Sequence, residues 1–192
     1  MKQLNSIWNT YDFFETFNLI NDSKVTILTG RPGIGKTEVL LNYFKQLSYR
    51  TNSKALYLSY DTFPHYHKNI VANNCNIICL TLKNNAKNSV ALWLKCIYLC
   101  KFKGIRVIGI DDIEIFHFFY KNIKILSKII KIPLICTTKL NRTVEYRKNH
   151  LPMISDIDSK LIDIATRIIL IHKDSYYSCG KGNKEYKFIV LK

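Results

Sequence analysis

An eight-residue segment of the chain has the residue types and spacing of a phosphate-binding loop. Residues 30–37 read Gly-Arg-Pro-Gly-Ile-Gly-Lys-Thr and fit the pattern G-x-x-x-x-G-K-[ST]. In such a loop the backbone N–H groups cradle nucleotide phosphates, Lys36 reaches the β- and γ-phosphates, and the hydroxyl of Thr37 holds Mg²⁺. The sequence therefore predicts a site for a nucleoside triphosphate and Mg²⁺. The predicted nucleotide-binding residues are Gly30, Arg31, Pro32, Gly33, Ile34, Gly35, Lys36, Thr37 and Glu38.

The residues on either side of this loop predict the strand and the helix that it needs. Residues 24–29 are rich in β-branched side chains, which favours a strand. The residues after the loop place their apolar side chains on one face of a helix. A strand, a glycine loop and a helix N-terminus form an anion site, because the helix dipole and the free N–H groups point at the phosphates. The apolar helix residues are Val39, Leu40, Tyr43, Phe44 and Leu47.

A second candidate feature is a pair of carboxylates that follows an apolar strand. Residues 105–112 read Ile-Arg-Val-Ile-Gly-Ile-Asp-Asp. A carboxylate at the carboxyl end of a neighbouring strand lies beside the phosphates and can hold the Mg²⁺ complex, and we predict Asp111 for this role. Hydrolysis also needs a group that orients or deprotonates water. Asp61, Asp112 and Glu114 compete for that role, and their spacing alone does not choose among them.

Strand-like and helix-like segments alternate along the chain, which predicts an α/β fold. Several strands are almost continuously apolar, so we expect a mostly parallel central sheet covered by helices on both faces. The last two strands flank a turn-rich segment at 178–183, which predicts a C-terminal antiparallel hairpin. The predicted strands are 24–29, 55–60, 76–82, 106–110, 133–137, 167–172 and 186–191. The predicted helices are 36–48, 89–101 and 116–130, with a further helix before residue 21.

The composition favours a cytosolic protein that binds polyanions. The 192 residues suffice for a full core without disulfide bonds, and we predict one domain over 1–192 with a helical lead-in at 1–22. Neither a signal-peptide pattern nor a membrane-length apolar run is present, so we expect a cytoplasmic protein without a membrane partner. The net charge of +15 favours nucleic acid, although the basic residues are mostly lysine and phosphate-gripping surfaces more often use arginine.

Each of three features of the predicted elements allows two interpretations. The helix at 89–101 is apolar nearly all round, so it is deeply packed or offers a partner surface, and we favour packing. Lysines along the helix at 116–130 recur at three- and four-residue steps. They form a solvated outer face, which we favour, or a surface that binds a nucleic-acid backbone. Two cysteine pairs have C-x₃-C spacing, and we interpret them as buried free thiols in preference to zinc ligands. The lysines are Lys121, Lys124, Lys128 and Lys131.

A series of further motifs follows in the second half of the chain. Residues 134–147 read Leu-Ile-Cys-Thr-Thr-Lys-Leu-Asn-Arg-Thr-Val-Glu-Tyr-Arg, Ser-Asp-Ile follows at 155–157, and His-Lys-Asp-Ser-Tyr-Tyr follows at 172–177. This series resembles the ATPase domain of DnaB-like replicative helicases, a RecA-type fold with the motifs Q-L-N-R-x-x-E-x-R, P-x-x-S-D-L and R-D-x-x-Y. The loop R-P-G-x-G-K-T and the residues Ala-Leu-Tyr-Leu-Ser-Tyr-Asp at 55–61 fit the same family. The resemblance covers most of 25–177.

The resemblance implies ATP as the nucleotide and suggests roles residue by residue. Asp61 falls where the family places its catalytic glutamate, with a side chain one methylene shorter, and so becomes the first choice for the base. Lys139 replaces the glutamine that senses the γ-phosphate. Arg142 and Arg147 lie in the segment that leads to a DNA-facing loop in the family, and they equally suit solvated loop charges. The implied catalytic residues are Asp61, Lys36 and Lys139.

The sequence also departs from the family. The loop after the carboxylate strand and the region before residue 89 are shorter, and the chain ends at Lys192, where the family's K-x-R arginine-finger element would begin. Because such a finger is worth orders of magnitude in rate, we expect a neighbouring subunit or a partner to complete the site.

The leading hypothesis is therefore a helicase-type ATPase that acts in DNA replication or another DNA transaction. Its expected partners are single-stranded DNA and a homo-oligomeric ring or a larger helicase. The alternative is a nucleotide-dependent binding or regulatory module, such as a helicase partner or loader, with little hydrolysis of its own. A non-functional remnant of a mobile element is weaker, because both nucleotide motifs are intact.

Overall fold

One sheet forms the centre of the molecule. The computed structural model describes residues 7–8, 25–60, 76–82, 89–115, 117–148, 150–177 and 186–191. The strands in these ranges are β1 (Ile7–Trp8), β2 (Val25–Gly30), β3 (Lys54–Tyr60), β4 (Ile77–Leu82), β5 (Ile105–Ile110), β6 (Leu134–Lys139), β7 (Arg167–His172) and β8 (Lys187–Leu191). They lie in the order β1-β8-β7-β2-β6-β5-β3-β4.

The topology confirms the predicted fold class. All seven predicted strands are present, and the pairs among β2, β3, β4, β5, β6 and β7 are parallel. Strand β8 runs antiparallel to β7, as predicted for the C-terminal pair, while the predicted turn at 178–183 lies outside the described residues. Strands β2 and β6 are buried at nearly every position, which is the pattern of parallel strands covered on both faces.

Strand β1 was not predicted. Its two residues pair antiparallel with β8, Ile7 opposite Ile189 and Trp8 opposite Phe188. At these two positions the chain is a strand and not part of a helix, because the edge of β8 offers backbone hydrogen-bonding groups to pair with. The rest of the predicted helical lead-in at 1–22 lies outside the described residues.

The three long helices of the described ranges match the predicted ones, with ends that differ by at most three residues. Helix α1 starts directly after the phosphate loop and ends where Asn52 takes a left-handed conformation and donates its N–H to Ser48 O. Shorter elements were not predicted, since three to six residues carry too little periodicity to read. The helices are α1 (Lys36–Thr51), α2 (Ser89–Phe102), α3 (His117–Ile130), α4 (Ser159–Ile164) and α5 (Asp174–Tyr177). The 3₁₀ turns are Ile113–Ile115, Arg142–Tyr146 and Ile154–Asp156.

The core consists of two layers, one on each face of the sheet. Alternate side chains of β2 enter different layers, Ile27 in one and Leu28 in the other. Helices α2 and α3 contribute Leu92 and Leu126 to the first layer, and α1 contributes Phe44 to the second. The sheet is therefore covered on both faces, and the phosphate loop leaves it on the face that α1 covers.

Helix α2 packs on the sheet, as the sequence analysis favours, along one face only, and a partner surface on the other face stays a prediction. Its buried face packs on the sheet, while an opposite stripe of apolar side chains is exposed. The exposed lysines of α3 lie opposite buried Ile123 and Leu126, as on a solvated outer face. Contact of these lysines with nucleic acid stays a prediction. The exposed stripe of α2 is Val90, Leu94, Tyr98 and Phe102.

Of the cysteines in the two predicted pairs, Cys96 is a buried free thiol, and Cys136, outside the pairs, is buried as well. Cys96 and Cys136 have no exposed surface, and burial raises the pKa of the Cys96 thiol to about 12. Cys79 and Cys100 are free and half-buried, while Cys75 and Cys179 lie outside the described residues. No helix in the part of the chain that the structure describes has both the length and the apolar character needed to cross a bilayer.

Candidate nucleotide-binding site

The candidate site lies at the carboxyl ends of three neighbouring parallel strands. Strand β2 leads into the loop 31–35, β5 leads into Asp111 and Asp112, and β6 ends at Lys139. The register of the sheet sets Gly30 opposite Lys139. Ligands of open α/β sheets bind in the crevice outside these strand ends, and the helix N-terminus of α1 opens onto the same crevice.

The glycines of the loop have the conformations that the motif requires. Gly33 and Gly35 have φ angles of 75° and 100°, a region that residues with a Cβ rarely adopt. A Cβ on Gly30 would lie 3.0 Å from Ile34 Cγ2 and 3.1 Å from the carbonyl oxygen of Ile171. The loop backbone can therefore turn tightly enough to present its N–H groups to an anion.

Lys36 folds back over the loop that precedes it. Its ammonium donates to the carbonyl oxygens of Gly30, at 2.9 Å, and Arg31, at 3.0 Å. Burial lowers the pKa of Lys36 to about 8, against the opposing effect of the carboxylates of Asp111 and Asp112. The ammonium is thus a partly desolvated cation within reach of the loop, as a phosphate-binding lysine needs to be.

Asp111 and Thr37, the two predicted Mg²⁺ ligands, are in direct contact. Thr37 Oγ1 donates to the Asp111 carboxylate, at 2.9 Å from Oδ2 and 3.1 Å from Oδ1. The Tyr57 hydroxyl donates to Oδ2 at 2.7 Å, and Thr137 Oγ1 donates to Oδ1 at 2.7 Å. Hydroxyl and carboxylate oxygens are ligands that Mg²⁺ prefers, so these residues fit the ion.

Sequence reasoning missed Tyr57 and Thr137. Burial and the neighbouring Asp111 raise the pKa of Tyr57 far above its ordinary value, so that it stays a neutral donor. Its only signal in the sequence is a hydroxyl-bearing ring inside the apolar strand β3. Thr137 likewise interrupts the apolar run of β6, and its Oγ1 also accepts the backbone N–H of Asp112 at 2.7 Å.

Lys139 and two candidates for the base, Asp112 and Glu114, lie near the end of β6. Lys139 Nζ lies 2.6 Å from Asp112 Oδ2, and this hydrogen bond raises the pKa of Lys139. Glu114 accepts a hydrogen bond of 2.5 Å from Thr138 Oγ1. Two of the three candidates for the base, Asp112 and Glu114, therefore already have partners. Asp61, the first choice, lies outside the described residues.

Arg31 connects the phosphate loop to the segment at 142–146. Its side chain is 7% exposed, and its guanidinium forms an ion pair with Glu145. Two further nitrogens of the guanidinium, Nε and Nη1, are buried and have no hydrogen-bond partner among the described residues. A buried guanidinium depends strongly on its carboxylate partner, so Glu145 helps to hold the start of the loop.

The two predicted nucleic-acid or subunit contacts differ in their surroundings. Arg142 is exposed. Arg147 forms a bidentate ion pair with buried Asp156, with N···O distances of 2.7 and 2.5 Å, and donates to Leu151 O at 2.9 Å. Arg147 thus links two segments of the structure and is not a free loop charge. Among the described residues, neither arginine forms a hydrogen bond or ion pair with the phosphate loop. Contact with nucleic acid stays a prediction for both.

The C-terminal part of the chain also reaches the phosphate loop, which the sequence did not predict. The Tyr176 hydroxyl donates to Pro32 O at 2.9 Å. The Tyr186 hydroxyl lies 3.4 Å from Glu38 Oε2, and Glu38 is the last of the predicted nucleotide-binding residues. The two ends of the loop therefore each have a tyrosine beside them.

Comparison with known proteins finds similarity to DnaB-like helicases. Residues 111–192 match the model of the family described as DnaB-like helicase C terminal domain. The chain is 22% identical over 214 aligned residues to the replicative DNA helicase DnaB of Geobacillus stearothermophilus, an alignment that covers 88% of this chain and 47% of the relative. The chain is similar in sequence to the DnaB-like helicases.

Other DnaB-like proteins match as well. The replicative DNA helicase DnaB of Leifsonia xyli subsp. xyli is 21% identical over 208 residues, which cover 85% of this chain and 45% of the relative. A DnaB-like replicative helicase, solved in a study of its interactions with primase, superposes with a TM-score of 0.70 at 18% identity, over 83% of this chain and 49% of that one. A second solved structure, that of an ATPase domain, superposes with a TM-score of 0.67 at 17% identity, over 94% of this chain and 86% of that one. The chain spans about half the length of the curated DnaB relatives.

Proposed function

We propose that this DnaB-like chain is a helicase-type ATPase that binds ATP with Mg²⁺ at residues 30–37 and acts in DNA replication or another DNA transaction. The observation that carries the proposal is the contact of 2.9 Å between Thr37 Oγ1 and Asp111 Oδ2, at the end of the phosphate loop. Two oxygen ligands from adjacent elements meet beside the N-terminus of α1, where phosphates bind. Its relatives, which are named as replicative DNA helicases, support the context.

Each residue of the site has a role in this proposal. The loop N–H groups and Lys36 bind the phosphates, and Thr37 and Asp111 hold Mg²⁺. When bound, Mg²⁺ neutralises charge on the β- and γ-phosphates. The hydroxyls of Tyr57 and Thr137 keep the Asp111 carboxylate oriented, since each donates to a different oxygen of it.

Hydrolysis requires a rearrangement at the end of β6. We propose Asp61 as the base and Lys139 as the γ-phosphate contact, following the resemblance to the family. Lys139 pairs with Asp112, so it has to leave that carboxylate to reach a phosphate. A γ-phosphate carries more negative charge than a single carboxylate and competes for the ammonium.

We also propose that a neighbouring subunit or a partner completes the site, and that single-stranded DNA binds near Arg142. The high positive charge of the chain supports a polyanionic partner. The ring or larger helicase in which the chain would work follows from the family resemblance alone.

A second candidate function is a nucleotide-dependent regulatory module with little hydrolysis. The ion pair of Lys139 with Asp112 favours this second candidate. The pair holds Lys139, which replaces the family's glutamine, on a carboxylate of the same chain. Lysine also cannot accept a hydrogen bond, as glutamine does. This candidate predicts ATP binding without turnover.

One experiment separates the two candidates. The rate of ATP hydrolysis is measured against protein concentration, with and without single-stranded DNA, and Lys36→Ala serves as the control. A DNA-stimulated rate that rises faster than linearly and disappears in Lys36→Ala supports an ATPase completed between subunits. ATP binding with no hydrolysis at any concentration contradicts the ATPase and supports the regulatory module.

A further inference from the structure

The side chain of Tyr186, which is close to the C-terminus in sequence, packs against the phosphate loop. Its ring is half-buried between Phe188, at 6.1 Å between ring centroids, and the ammonium of Lys173, at 4.6 Å from the ring centroid. Its hydroxyl oxygen contacts Gly35 so closely that a Cβ added to that glycine would overlap it. Tyr186 therefore touches the backbone immediately before Lys36, where the N-terminus of α1 meets the phosphates.

The same hydroxyl faces the carboxylate of Glu38. Tyr186 OH donates to Glu38 Oε2 over 3.4 Å, and this carboxylate oxygen also lies 3.5 Å from the Cβ position of Gly35. Burial, with the charge and hydrogen bond of Glu38, raises the pKa of Tyr186 to about 12, so the hydroxyl is a neutral donor at physiological pH. Glu38 is in the first turn of α1, where it shares the positive end of the helix with any bound phosphate.

These contacts give Glu38 two opposed effects. In the protein without nucleotide, a carboxylate in the first helical turn is favourable. Once a triphosphate occupies the loop, the same carboxylate repels it, because two like charges compete for one set of N–H groups. The hydroxyl of Tyr186 supplies a donor that turns the carboxylate toward β8.

We propose that Tyr186 is a positioning residue of the nucleotide site, which holds the Glu38 carboxylate away from the phosphates and supports Gly35. The proposal rests on the proposed function, since it assumes that the loop binds ATP. It brings the residue directly before strand β8 into the nucleotide site, although this residue lies outside the phosphate-loop motif.

The test is a double-mutant cycle on ATP affinity with the full chain. Tyr186→Phe keeps the ring and removes the donor, so we expect ATP with Mg²⁺ to bind about three- to tenfold more weakly. Glu38→Gln removes the charge, and the double variant Tyr186→Phe/Glu38→Gln then binds ATP within about twofold of Glu38→Gln alone. Tyr49→Phe changes an exposed tyrosine of the same helix as Glu38 and is the matched control.

The outcomes of the cycle are distinct. Weak binding by Tyr186→Phe that Glu38→Gln restores supports the proposal. Unchanged affinity in Tyr186→Phe, or a loss that persists in the double variant, overturns it, because a purely structural tyrosine would not be rescued by removing a charge. Failure of the unmodified chain to bind ATP contradicts the proposed function instead.

A second readout does not depend on ATP. In protein labelled with ¹³Cζ-tyrosine and kept free of nucleotide, the resonance missing from Tyr186→Phe belongs to Tyr186. We expect this tyrosine to ionise near pH 12, and at lower pH in Glu38→Gln. The same titration in both proteins would show that the two side chains do not interact and would overturn the proposal whether or not ATP binds.

Discussion

Three hydroxyl groups fix the carboxylate of Asp111, and each comes from a different element. Thr37 lies in the first turn of α1, Tyr57 lies inside β3 and Thr137 lies inside β6. A carboxylate held by several donors keeps its orientation, so the proposed Mg²⁺ ion would meet ligands that are already placed. The site is therefore preorganised by residues that are distant in sequence.

The first prediction concerns Tyr57. Tyr57→Phe removes a hydrogen bond of 2.7 Å to Asp111 and keeps the buried ring. We expect the free energy of unfolding to fall by about 1.5 kcal/mol, since hydrogen bonds to charged groups contribute roughly that much, and ATP affinity to become less dependent on Mg²⁺. Denaturant unfolding and ATP titrations check both effects. Equal stability and equal Mg²⁺ dependence in the two proteins would contradict the assignment.

The second prediction concerns the pH dependence of ATP binding. Burial lowers the pKa of Lys36 to about 8, and phosphate binding favours the ammonium. As pH rises through about 8 the free protein progressively loses this proton, so binding takes up an increasing fraction of a proton and the Kd for ATP rises between about pH 8 and pH 9.5. Isothermal titration in two buffers with different ionisation heats measures the uptake. An affinity that is constant over this range, with no proton uptake, would argue against it.

The sequence predicts the candidate ligands and not the residues that support them. Lys36, Thr37 and Asp111 are found because one motif and one strand end carry them. Tyr57, Thr137 and Tyr186 act through contacts that the sheet register and the packing of the C-terminal strand create. No local pattern marks such partners, since their separation from the site in sequence is large.

Strand β5 and helix α1 pack so closely that Gly109, at their contact, has no room for a side chain. A Cβ on Gly109 would lie 2.5 Å from Phe44 Cζ and 3.1 Å from Leu40 Cδ2, and both side chains are fully buried. This close packing fixes α1, and with it the phosphate loop, against the strand that carries Asp111.

The third prediction tests this packing. Gly109→Ala overpacks the layer and is expected to cost about 1–3 kcal/mol of unfolding free energy. Adding Phe44→Leu makes room, so the double variant should be less destabilised than the sum of its two single variants. Denaturant unfolding measures all three proteins. A tolerated Gly109→Ala, or strict additivity with Phe44→Leu, would refute the close packing.

A second element, the link between the 3₁₀ turns at Arg142–Tyr146 and Ile154–Asp156, depends on one buried carboxylate. Asp156 accepts from Arg147, from the N–H of Met153 at 2.7 Å and from Thr143 Oγ1 at 2.9 Å. Burial alone would raise the pKa of Asp156, but these hydrogen bonds lower it below its ordinary value.

The fourth prediction follows from this lowered pKa. Because the pKa of Asp156 is lower in the folded state, its contribution to stability is present above the unfolded pKa and is lost as pH falls through the folded pKa. Asp156→Asn should cost about 2 kcal/mol near pH 7 and less in acid. Unfolding at about pH 7 and about pH 3.5 checks this, with Asp163→Asn, on the exposed side of α4, as control. An equal cost at both pH values would contradict the sign.

Among the elements, the long periodic ones were predictable and the short ones were not. Helix α1 and the buried strands β2 and β6 have the apolar patterns from which they were predicted. The turn at Ile154–Asp156 and strand β1 have too few residues for a pattern. Strand β1 pairs with β8 at the other end of the chain, and Thr143 and Arg147 hold the Asp156 carboxylate of the turn.

At the scale of the whole molecule, the parallel sheet brings together segments that are separated by about a hundred residues. The order β7-β2-β6-β5 sets the phosphate loop between the C-terminal pair and the strands that carry Asp111 and Lys139. The alternation of strands and helices predicts this sheet but not the order of its strands, which determines which residues share the crevice. The site is thus a property of the topology as much as of its motifs.

All the proposed roles depend on whether this crevice binds ATP with Mg²⁺. The most direct measurement is titration of ATP, with and without Mg²⁺, into the unmodified chain, Lys36→Ala and Asp111→Asn. We predict Mg²⁺-dependent binding by the unmodified chain, a loss of about a hundredfold or more in Lys36→Ala, and binding that no longer depends on Mg²⁺ in Asp111→Asn. No binding by the unmodified chain, or equal affinity in it and Lys36→Ala, would contradict the proposed binding.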